Sequence, residues 1–136
     1  MIPFQLFYEI ALGLVETVTF KELGPIEAKV DSGNGAFNVL HGEDIQEYGD
    51  TVNFLTVGDR GITKKLQGYI DINIGSGNVE KRPVVLFDIS IGDKHFPNTP
   101  FSIAYRGDNE QKVLLGKDFI TKLGGIIDVR KTNNLS

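Results

Sequence analysis

Hydrophobic and polar residues alternate in short runs along most of the chain, and glycine-containing turns separate the runs. The runs are rich in Val, Ile, Phe and Thr, and the turns contain Gly-Asp, Gly-Asn and Ser-Gly pairs. A period of two in β-branched and aromatic residues is typical of strands joined by tight turns. The pattern therefore predicts an all-β protein. The predicted strands cover residues 15–20, 26–30, 51–57, 62–67, 69–74, 83–91, 101–105 and 113–115.

The two ends of the chain follow other patterns. One helix is predicted, over residues 117–123, and the glycine pair after it would end the helix as a left-handed cap. Residues 1–15 are apolar, and their alternate side chains would share one face of a strand, although a helix also fits. Those alternate residues are Phe4, Leu6, Tyr8, Ile10, Leu12 and Leu14. We expect the polar residues 131–136 to fray.

The composition fits one folded domain and excludes several classes of function. A chain of 136 residues, 40% of them hydrophobic, can build a single core, so we expect residues 1–136 to form one domain. The net charge of −4, with no basic stripe, argues against nucleic acid as a partner. The apolar start is too short to span a bilayer and lacks a basic segment, so we expect no membrane partner and no targeting signal. The absence of cysteine excludes disulfides and favours a reducing compartment, the cytoplasm.

One acidic residue stands at the end of a predicted buried strand. Asp31 follows the apolar approach of residues 26–30, and Ser32 and Gly33 come directly after it. A carboxylate is costly to desolvate at such a place unless it is hydrogen-bonded or used in chemistry. The small residues after it let backbone amides and a hydroxyl approach the carboxylate. Because the same triplet also forms ordinary turns, it needs a second signal.

The second signal lies downstream, where Leu114, Leu115 and Gly116 end a short apolar strand just before the predicted helix. An Asp-Ser-Gly strand end, followed late in a small β domain by two apolar residues and a glycine, resembles the retropepsin-like aspartic proteases. The blocks that carry the resemblance are residues 16–24, 28–33, 39–45, 79–85, 114–120 and 127–130. They are most similar to the bacterial family labelled ATP-dependent zinc proteases, which includes proteins associated with RimK-type glutamate ligases. The likeness covers about residues 16–130 and departs at Lys117, where arginine is usual.

The resemblance implies a retropepsin-like closed β-barrel with one short C-terminal helix, and hydrolysis of peptides by a bound water without a covalent intermediate. An aspartic protease needs two carboxylates that share a proton and hold this water between them. The chain has one Asp-Ser/Thr-Gly triplet, so we expect a homodimer with one half-site per subunit. Asp31 would then be the catalytic carboxylate, Ser32 would brace the paired loops and Gly33 would donate its amide. Residues 114–116 would support this loop from behind.

A cover over the site is a further expectation, because closure excludes bulk water and positions the peptide. The candidate flap tip, which would contact substrate, is a turn between two predicted strands. Its residues are Gly75, Ser76, Gly77 and Asn78. A plain solvent-exposed hairpin explains this turn as well as a flap does. The turn of residues 58–61 is the competing flap.

The residues give no support for a metal or another cofactor, despite the zinc in the family label. The chain has two histidines, His41 and His95, and it lacks cysteine and any His-Glu-x-x-His motif. It also lacks a Gly-Lys-Ser/Thr phosphate loop, so an ATP dependence would come from another protein. His41 either contacts substrate near the cleft or is a hydrogen-bonded strand-end histidine, and His95 is interpreted as a loop residue.

Two classes of function remain open from the sequence. The first is an aspartic-type endopeptidase, a hydrolase that acts as a homodimer on a peptide, which is acidic or glutamate-rich if the resemblance extends to substrate. The second is a non-catalytic retropepsin-fold module, a structural, assembly or binding subunit of a larger particle such as a virion. Because fold does not settle function, the distance between the two Asp31 carboxylates in the native assembly distinguishes these classes.

Overall fold

Short strands make up most of the structure. The computed structural model describes residues 10–31, 37–123 and 125–127. These residues contain twelve strands, one α-helix, α1 (Lys117–Leu123), and a 3-10 turn at Val57–Asp59. The strands are β1 (Ile10–Leu12), β2 (Val15–Phe20), β3 (Gly24–Val30), β4 (Val39–His41), β5 (Glu43–Tyr48), β6 (Thr51–Thr56), β7 (Arg60–Lys65), β8 (Gly68–Gly75), β9 (Asn78–Ile91), β10 (Lys94–Ala104), β11 (Val113–Leu115) and β12 (Gly125–Ile127).

Seven strands form the main sheet, in the order β10-β4-β11-β3-β2-β9-β8. β10 also pairs with β9, so the pairings that run from β10 through β4, β11, β3, β2 and β9 return to β10. Most neighbours are antiparallel, but β3 runs parallel to β11 and β4 runs parallel to β10. Because parallel neighbours end at the same edge of a sheet, the ends of β3 and β11 lie side by side, with Val30 opposite Leu115.

Two smaller sheets accompany the main sheet. β5, β6 and β7 form an antiparallel sheet of three strands. β1 and β12 form a parallel pair in which Ile10 lies opposite Gly125. This pair joins two segments from near the opposite ends of the chain.

Three phenylalanines from β2, β9 and β10 contact one another in the core. The ring centroid of Phe20 lies 5.2 Å from those of Phe87 and Phe101, which are 5.9 Å apart. All three side chains are at most 1% exposed. The contacts of Phe87 with the other two rings are edge-on and that of Phe20 with Phe101 is tilted, and aromatic pairs of this kind contribute about 1 kcal/mol each beyond the burial of apolar area. They also fix the strand register, because a slip of one residue would turn each ring to the other face.

The structure confirms the predicted all-β class and the helix over residues 117–123. The alternation does not predict β5, in which Ile45 is exposed and five of the six residues are exposed. Among the strands that the structure describes, β5 is an outer strand that pairs with β6 alone, and a bulge interrupts the pairing where Asp44 has a φ of 52°. Without a buried face it has no alternating pattern to detect. The expectations for residues 1–9, for Gly124 and for residues 131–136 lie outside the described residues.

Gly42, between β4 and β5, is buried where no larger residue fits. A Cβ at this position would overlap Ile103 Cγ2 and lie 3.1 Å from Phe54 Cδ2. We expect Gly42→Ala to lower the free energy of unfolding by about 2 kcal/mol, because the core must move to admit the methyl group. Denaturant unfolding monitored by circular dichroism measures this change.

Gly61→Ala is the matched control, because a Cβ there meets its nearest neighbour, Leu55 Cδ2, at 3.7 Å, an ordinary contact distance. We expect this variant to be as stable as the original protein, or slightly more stable because alanine restricts the unfolded chain. Equal stability of the two variants would contradict the packing argument at Gly42.

Candidate functional site

Asp31 directly follows the last residue of β3, at the end of the main sheet where the parallel strands β3 and β11 both finish. Its backbone N–H donates to the carbonyl oxygen of Leu115 at 3.0 Å, which extends the pairing of β3 with β11 by one residue. The Asp31 side chain is 15% exposed, and Lys29 Nζ lies 3.9 Å from its Oδ2. The point at which the carboxylate leaves the sheet is therefore fixed by the backbone. Ser32 and Gly33, the other two predicted catalytic residues, lie outside the described residues.

The Leu-Leu-Gly segment adjoins this strand end, as the sequence predicts. Leu115 is fully buried and supplies the carbonyl oxygen that Asp31 binds. Leu114 lines the same cavity as Asp31. Gly116 follows, and its N–H donates to Asn38 Oδ1 at 2.9 Å. Leu115 thus contacts Asp31, Leu114 shares its cavity, and Gly116 contacts Asn38; the role of the three residues as supports stays a prediction.

Asn38 directly precedes β4 and connects three parts of the chain. Its side chain accepts from the N–H of Gly116 and donates to the carbonyl oxygen of Pro100 at 3.2 Å. Its own carbonyl oxygen accepts from the Ser102 N–H at 2.9 Å and from Ser102 Oγ at 3.1 Å. Asn38 is 4% exposed. These bonds hold the chain just before β4 against β10 and against Gly116, the residue before α1.

The Asp31 side chain borders a cavity of about 510 Å³, which we call the Asp31 cavity. Its walls come from strands of the main sheet and from the segment after β10. A cavity of this volume accommodates a small ligand or a few residues of a peptide. The lining residues are Lys29, Asp31, Phe37, Val39, Ile70, Asp71, Ile72, Arg82, Ser102, Arg106, Asn109 and Leu114.

A second cavity of about 430 Å³ lies beside α1. Its described lining includes Phe37, Phe96 and Phe119 but not Asp31. Phe37 borders both cavities. The Asp31 cavity is the better candidate for a functional site, because it combines a carboxylate at a strand end with several cationic side chains.

The β8–β9 hairpin forms one wall of the Asp31 cavity. Ile70 and Ile72 of β8 and Arg82 of β9 line it, and Ile70 lies directly opposite Arg82 in the pairing. The hairpin turns at Ser76 and Gly77, with φ values of 53° and 76°, the positive values that a two-residue type I′ turn needs. The predicted flap tip is therefore the tip of a hairpin that borders the cavity.

The competing turn lies elsewhere. Residues 58–61 connect β6 to β7 in the three-stranded sheet, and none of them lines the described part of the Asp31 cavity. Between these two turns, the geometry favours residues 75–78 for a role at the site.

The base of the β8–β9 hairpin is joined to the three-stranded sheet. Tyr69 Oη donates to Glu47 Oε1, and Lys81 Nζ lies 4.9 Å from the centre of the Tyr69 ring. The hydrogen bond to Glu47 raises the pKa of the Tyr69 hydroxyl above its ordinary value, because ionisation would remove the donated proton, and desolvation and the negative charge of Glu47 act in the same direction. The base of the hairpin is thus anchored to the three-stranded sheet.

Cationic side chains outnumber carboxylates around the Asp31 cavity, which is lined by Lys29, Arg82 and Arg106 against Asp31 and Asp71. Burial lowers the pKa of the Arg106 guanidinium, the positive charge of Arg82 lowers it further, and Asp31 opposes both effects. Arginine nonetheless remains charged at neutral pH. The cavity therefore contains a partly desolvated positive charge that an anionic or strongly polar group would stabilise.

The structure places the two histidines in different roles. His41 is 6% exposed, and its Nδ1 accepts from the backbone N–H of Arg106 at 2.9 Å. Of the two interpretations that the sequence left open, a substrate contact and a hydrogen-bonded strand-end histidine, the structure favours the second. His41 is absent from the described lining of the Asp31 cavity. His95 lies in β10 rather than in a loop and lines the second cavity. Within residues 10–31, 37–123 and 125–127, no group of three or more acidic, His or Cys side chains is arranged to hold a metal ion.

Sequence reasoning missed Arg82, Arg106 and Asn38. Arg82 belongs to a block that carries the family resemblance, but the pattern gives no reason to separate it from other surface charges. Arg106 stands in a turn-forming stretch, Tyr-Arg-Gly-Asp-Asn, and turns of this kind commonly carry charge. No signal in the sequence pointed to Asn38, because no strand was predicted beside it and its burial depends on contacts with residues 62 and 78 positions away.

Comparison with solved structures finds a crystal structure of a protein of unknown function (DUF785) from Legionella pneumophila subsp. pneumophila strain Philadelphia 1. The two chains are 28% identical and superpose with a TM-score of 0.77, over 95% of this chain and 100% of the other. This chain is thus similar in fold and in sequence to a protein whose activity is unknown. No family model and no curated protein matches the chain.

The described residues contain no helix with the length and apolar character needed to cross a bilayer. α1, with seven residues, falls well below the roughly 20 that a spanning helix requires.

Proposed function

We propose that this chain is one half of an aspartic-type endopeptidase, with a retropepsin-like fold and a catalytic site completed by a second copy. One observation carries the proposal: Asp31 leaves the sheet at the paired ends of β3 and β11 and borders a peptide-sized cavity beneath the β8–β9 hairpin. A strand-end carboxylate, a neighbouring Leu-Leu-Gly segment and a covering hairpin are the parts that the family resemblance implies.

The strand pairing supports the proposed fold. The ring of pairings through β10, β4, β11, β3, β2 and β9 is the connectivity that closing a sheet into a barrel requires. α1 follows β11 after one residue, as expected for the short helix of a retropepsin-like domain.

The proposed mechanism needs two Asp31 carboxylates. In a C2 dimer with the two strand ends at the axis, one carboxylate is the base that takes a proton from the water, and the other is the acid that protonates the peptide. Asp71 also borders the cavity, but it is exposed on β8 and lies opposite Lys81. As the second catalytic carboxylate, Asp31 of the other copy is therefore a better candidate than Asp71 of the same chain.

The charges of the cavity support an acidic peptide as the substrate. Arg82 and Arg106 both line it, and guanidinium groups bind carboxylates through directed, charge-assisted hydrogen bonds. A glutamate side chain in the bound peptide would offset the cost of holding these two cations near each other.

The dependence of activity on protein concentration tests the dimer. We expect the cleavage rate per chain of a fluorogenic glutamate-containing peptide to fall on dilution, in parallel with the dimer fraction from sedimentation velocity. We also expect the same peptide with glutamine in place of glutamate to be cleaved more slowly, by about tenfold.

Constant activity per chain at dilutions where sedimentation finds only monomer would contradict the shared site. A stable dimer that cleaves neither peptide would contradict the peptidase and favour the non-catalytic binding module instead.

A further inference from the structure

Arg106 is fixed in place along both its backbone and its side chain. Its N–H donates to His41 Nδ1 at 2.9 Å, and its Nε donates to the carbonyl oxygen of Gln111 at 3.2 Å. Its carbonyl oxygen accepts from Lys112 Nζ at 3.3 Å. An arginine held at three points has lost most of its freedom before a ligand arrives, so less entropy is lost on binding.

Lys112 holds the turn that contains Arg106. Its ammonium group also donates to the carbonyl oxygens of Gly107 at 2.9 Å and of Asn109 at 2.5 Å. Its own carbonyl oxygen accepts from the N–H of His41 at 2.8 Å. Two hydrogen bonds of His41 therefore join β4 to this turn: its backbone N–H donates to Lys112, and its imidazole accepts from Arg106.

His41 is itself held rigidly behind the cavity. Its carbonyl oxygen accepts from Thr56 Oγ1 at 2.7 Å, and its ring lies edge-on to Tyr105 at 5.3 Å. Because Nδ1 accepts the Arg106 N–H, the ring proton is on Nε2, which faces Glu43 Oε1 at 3.8 Å. The imidazole is thus in one tautomer and one orientation.

The guanidinium of Arg106 has donors left for a ligand. Among the described residues, Nε is the guanidinium nitrogen that makes a hydrogen bond, and the two terminal nitrogens remain available. The group borders the Asp31 cavity, near Arg82 and Asp31. Its rigid support and its free donors together define a hydrogen-bonding position beside the carboxylate.

We propose that His41 is a positioning residue for this cavity, whose Nδ1 sets the backbone of Arg106 so that the guanidinium binds an oxygen of the bound peptide. His41 acts only through Arg106 and does not touch the peptide. The inference rests on the proposed function for the identity of the ligand, but the hydrogen bond and its coupling to Arg106 can be tested without catalysis.

The first test measures the hydrogen bond directly in the full-length protein labelled with ¹⁵N. We expect a through-bond coupling between the Arg106 amide nitrogen and His41 Nδ1, and a long-range proton–nitrogen spectrum in which Nδ1 carries no proton. A His41 ring protonated at Nδ1, or the absence of the coupling in a protein with a resolved Arg106 amide signal, would overturn the proposal.

The second test measures peptide affinity in an Asp31→Asn background, so that no cleavage occurs. The probe is a fluorescein-labelled hexapeptide of alternating alanine and glutamate, followed by fluorescence anisotropy. We expect His41→Phe to weaken binding by about tenfold, because the ring loses its acceptor and Arg106 loses its position. His41→Asn, whose side-chain oxygen can replace Nδ1 as the acceptor, should weaken binding by less than about threefold.

A thermodynamic cycle distinguishes positioning from general destabilisation. Arg106→Gln should weaken binding by about tenfold, and adding His41→Phe to it should cause no further loss, because His41 then has no guanidinium to position. Additive losses would overturn the proposal, as would equal affinities of the His41→Asn and His41→Phe proteins. Cooperative unfolding by denaturant verifies that each variant used is folded.

The outcomes separate this inference from the proposed function. Non-additive binding in the Asp31→Asn background, together with no peptide cleavage by the protein that retains Asp31, would support the positioning role and contradict the peptidase. Additive losses in that background, together with cleavage by the protein that retains Asp31, would contradict the positioning role and support the peptidase.

Discussion

Replacing Asp31 with asparagine is expected to abolish peptide cleavage and to leave the protein folded. The amide cannot take a proton from water or return one to the peptide, and in the proposed dimer both half-sites lose their carboxylate together. General acid–base catalysis contributes about 10² to 10⁴ in rate, so we expect kcat to fall by at least about a thousandfold. Steady-state kinetics with a fluorogenic acidic peptide measures this loss.

The fold should survive this change because the backbone, not the carboxylate, holds residue 31 in place. Its N–H continues to donate to Leu115, and asparagine has nearly the same shape as aspartate. We expect the free energy of unfolding to change by less than about 1 kcal/mol. Asp59→Asn is the matched control, because Asp59 is exposed in the remote β6–β7 turn at a φ of 54°, which asparagine tolerates. Unchanged turnover by folded Asp31→Asn protein would exclude the proposed mechanism.

Asn38→Leu is expected to cause the largest loss of stability. Leucine has a similar volume but can neither accept from the Gly116 N–H nor donate to the Pro100 carbonyl. The buried Gly116 N–H, left without a partner, costs about 1 to 3 kcal/mol, and the part-buried bond to Pro100 adds a smaller loss, so we expect the free energy of unfolding to fall by about 3 kcal/mol. For a domain stabilised by about 5 to 15 kcal/mol, this is a large share. Urea unfolding measures the loss.

The same substitution at Asn53 provides the control. Asn53 Oδ1 accepts from Thr63 Oγ1 at the protein surface, where water can replace the lost partner. We expect Asn53→Leu to change the free energy of unfolding by less than about 1 kcal/mol. A comparable loss in both variants would show that the burial of Asn38 does not explain its effect.

The secondary structure was predictable where one face of an element is buried and the other is exposed. β2 follows this rule, with buried Val18 and Phe20 on one side and exposed Thr19 on the other. α1 was predictable from its position between an apolar strand and two glycines. β5 was not predictable, because it has no buried face and therefore no alternation.

The candidate site was predictable only in part. Asp31 stands out because an ionisable residue is unusual directly after an apolar strand, and Leu114 to Gly116 stand out because a strand ends there before a helix. Nothing comparable distinguishes Arg106, whose backbone N–H donates to His41, 65 positions earlier in the chain. A charge in a polar turn has the same local pattern whether it faces solvent or a cavity.

The sequence by itself determined the all-β class, the position of the helix and the carboxylate at a strand end. These features are local, since hydrophobic alternation and turn residues act over a few neighbouring positions. The tertiary structure decided which distant residues meet. The parallel pairing of β3 with β11 places Asp31 beside Leu115, and the β8–β9 hairpin and the turn after β10 bring Arg82 and Arg106 to the same cavity. Such contacts depend on how the strands close around the core, which no short stretch of sequence encodes.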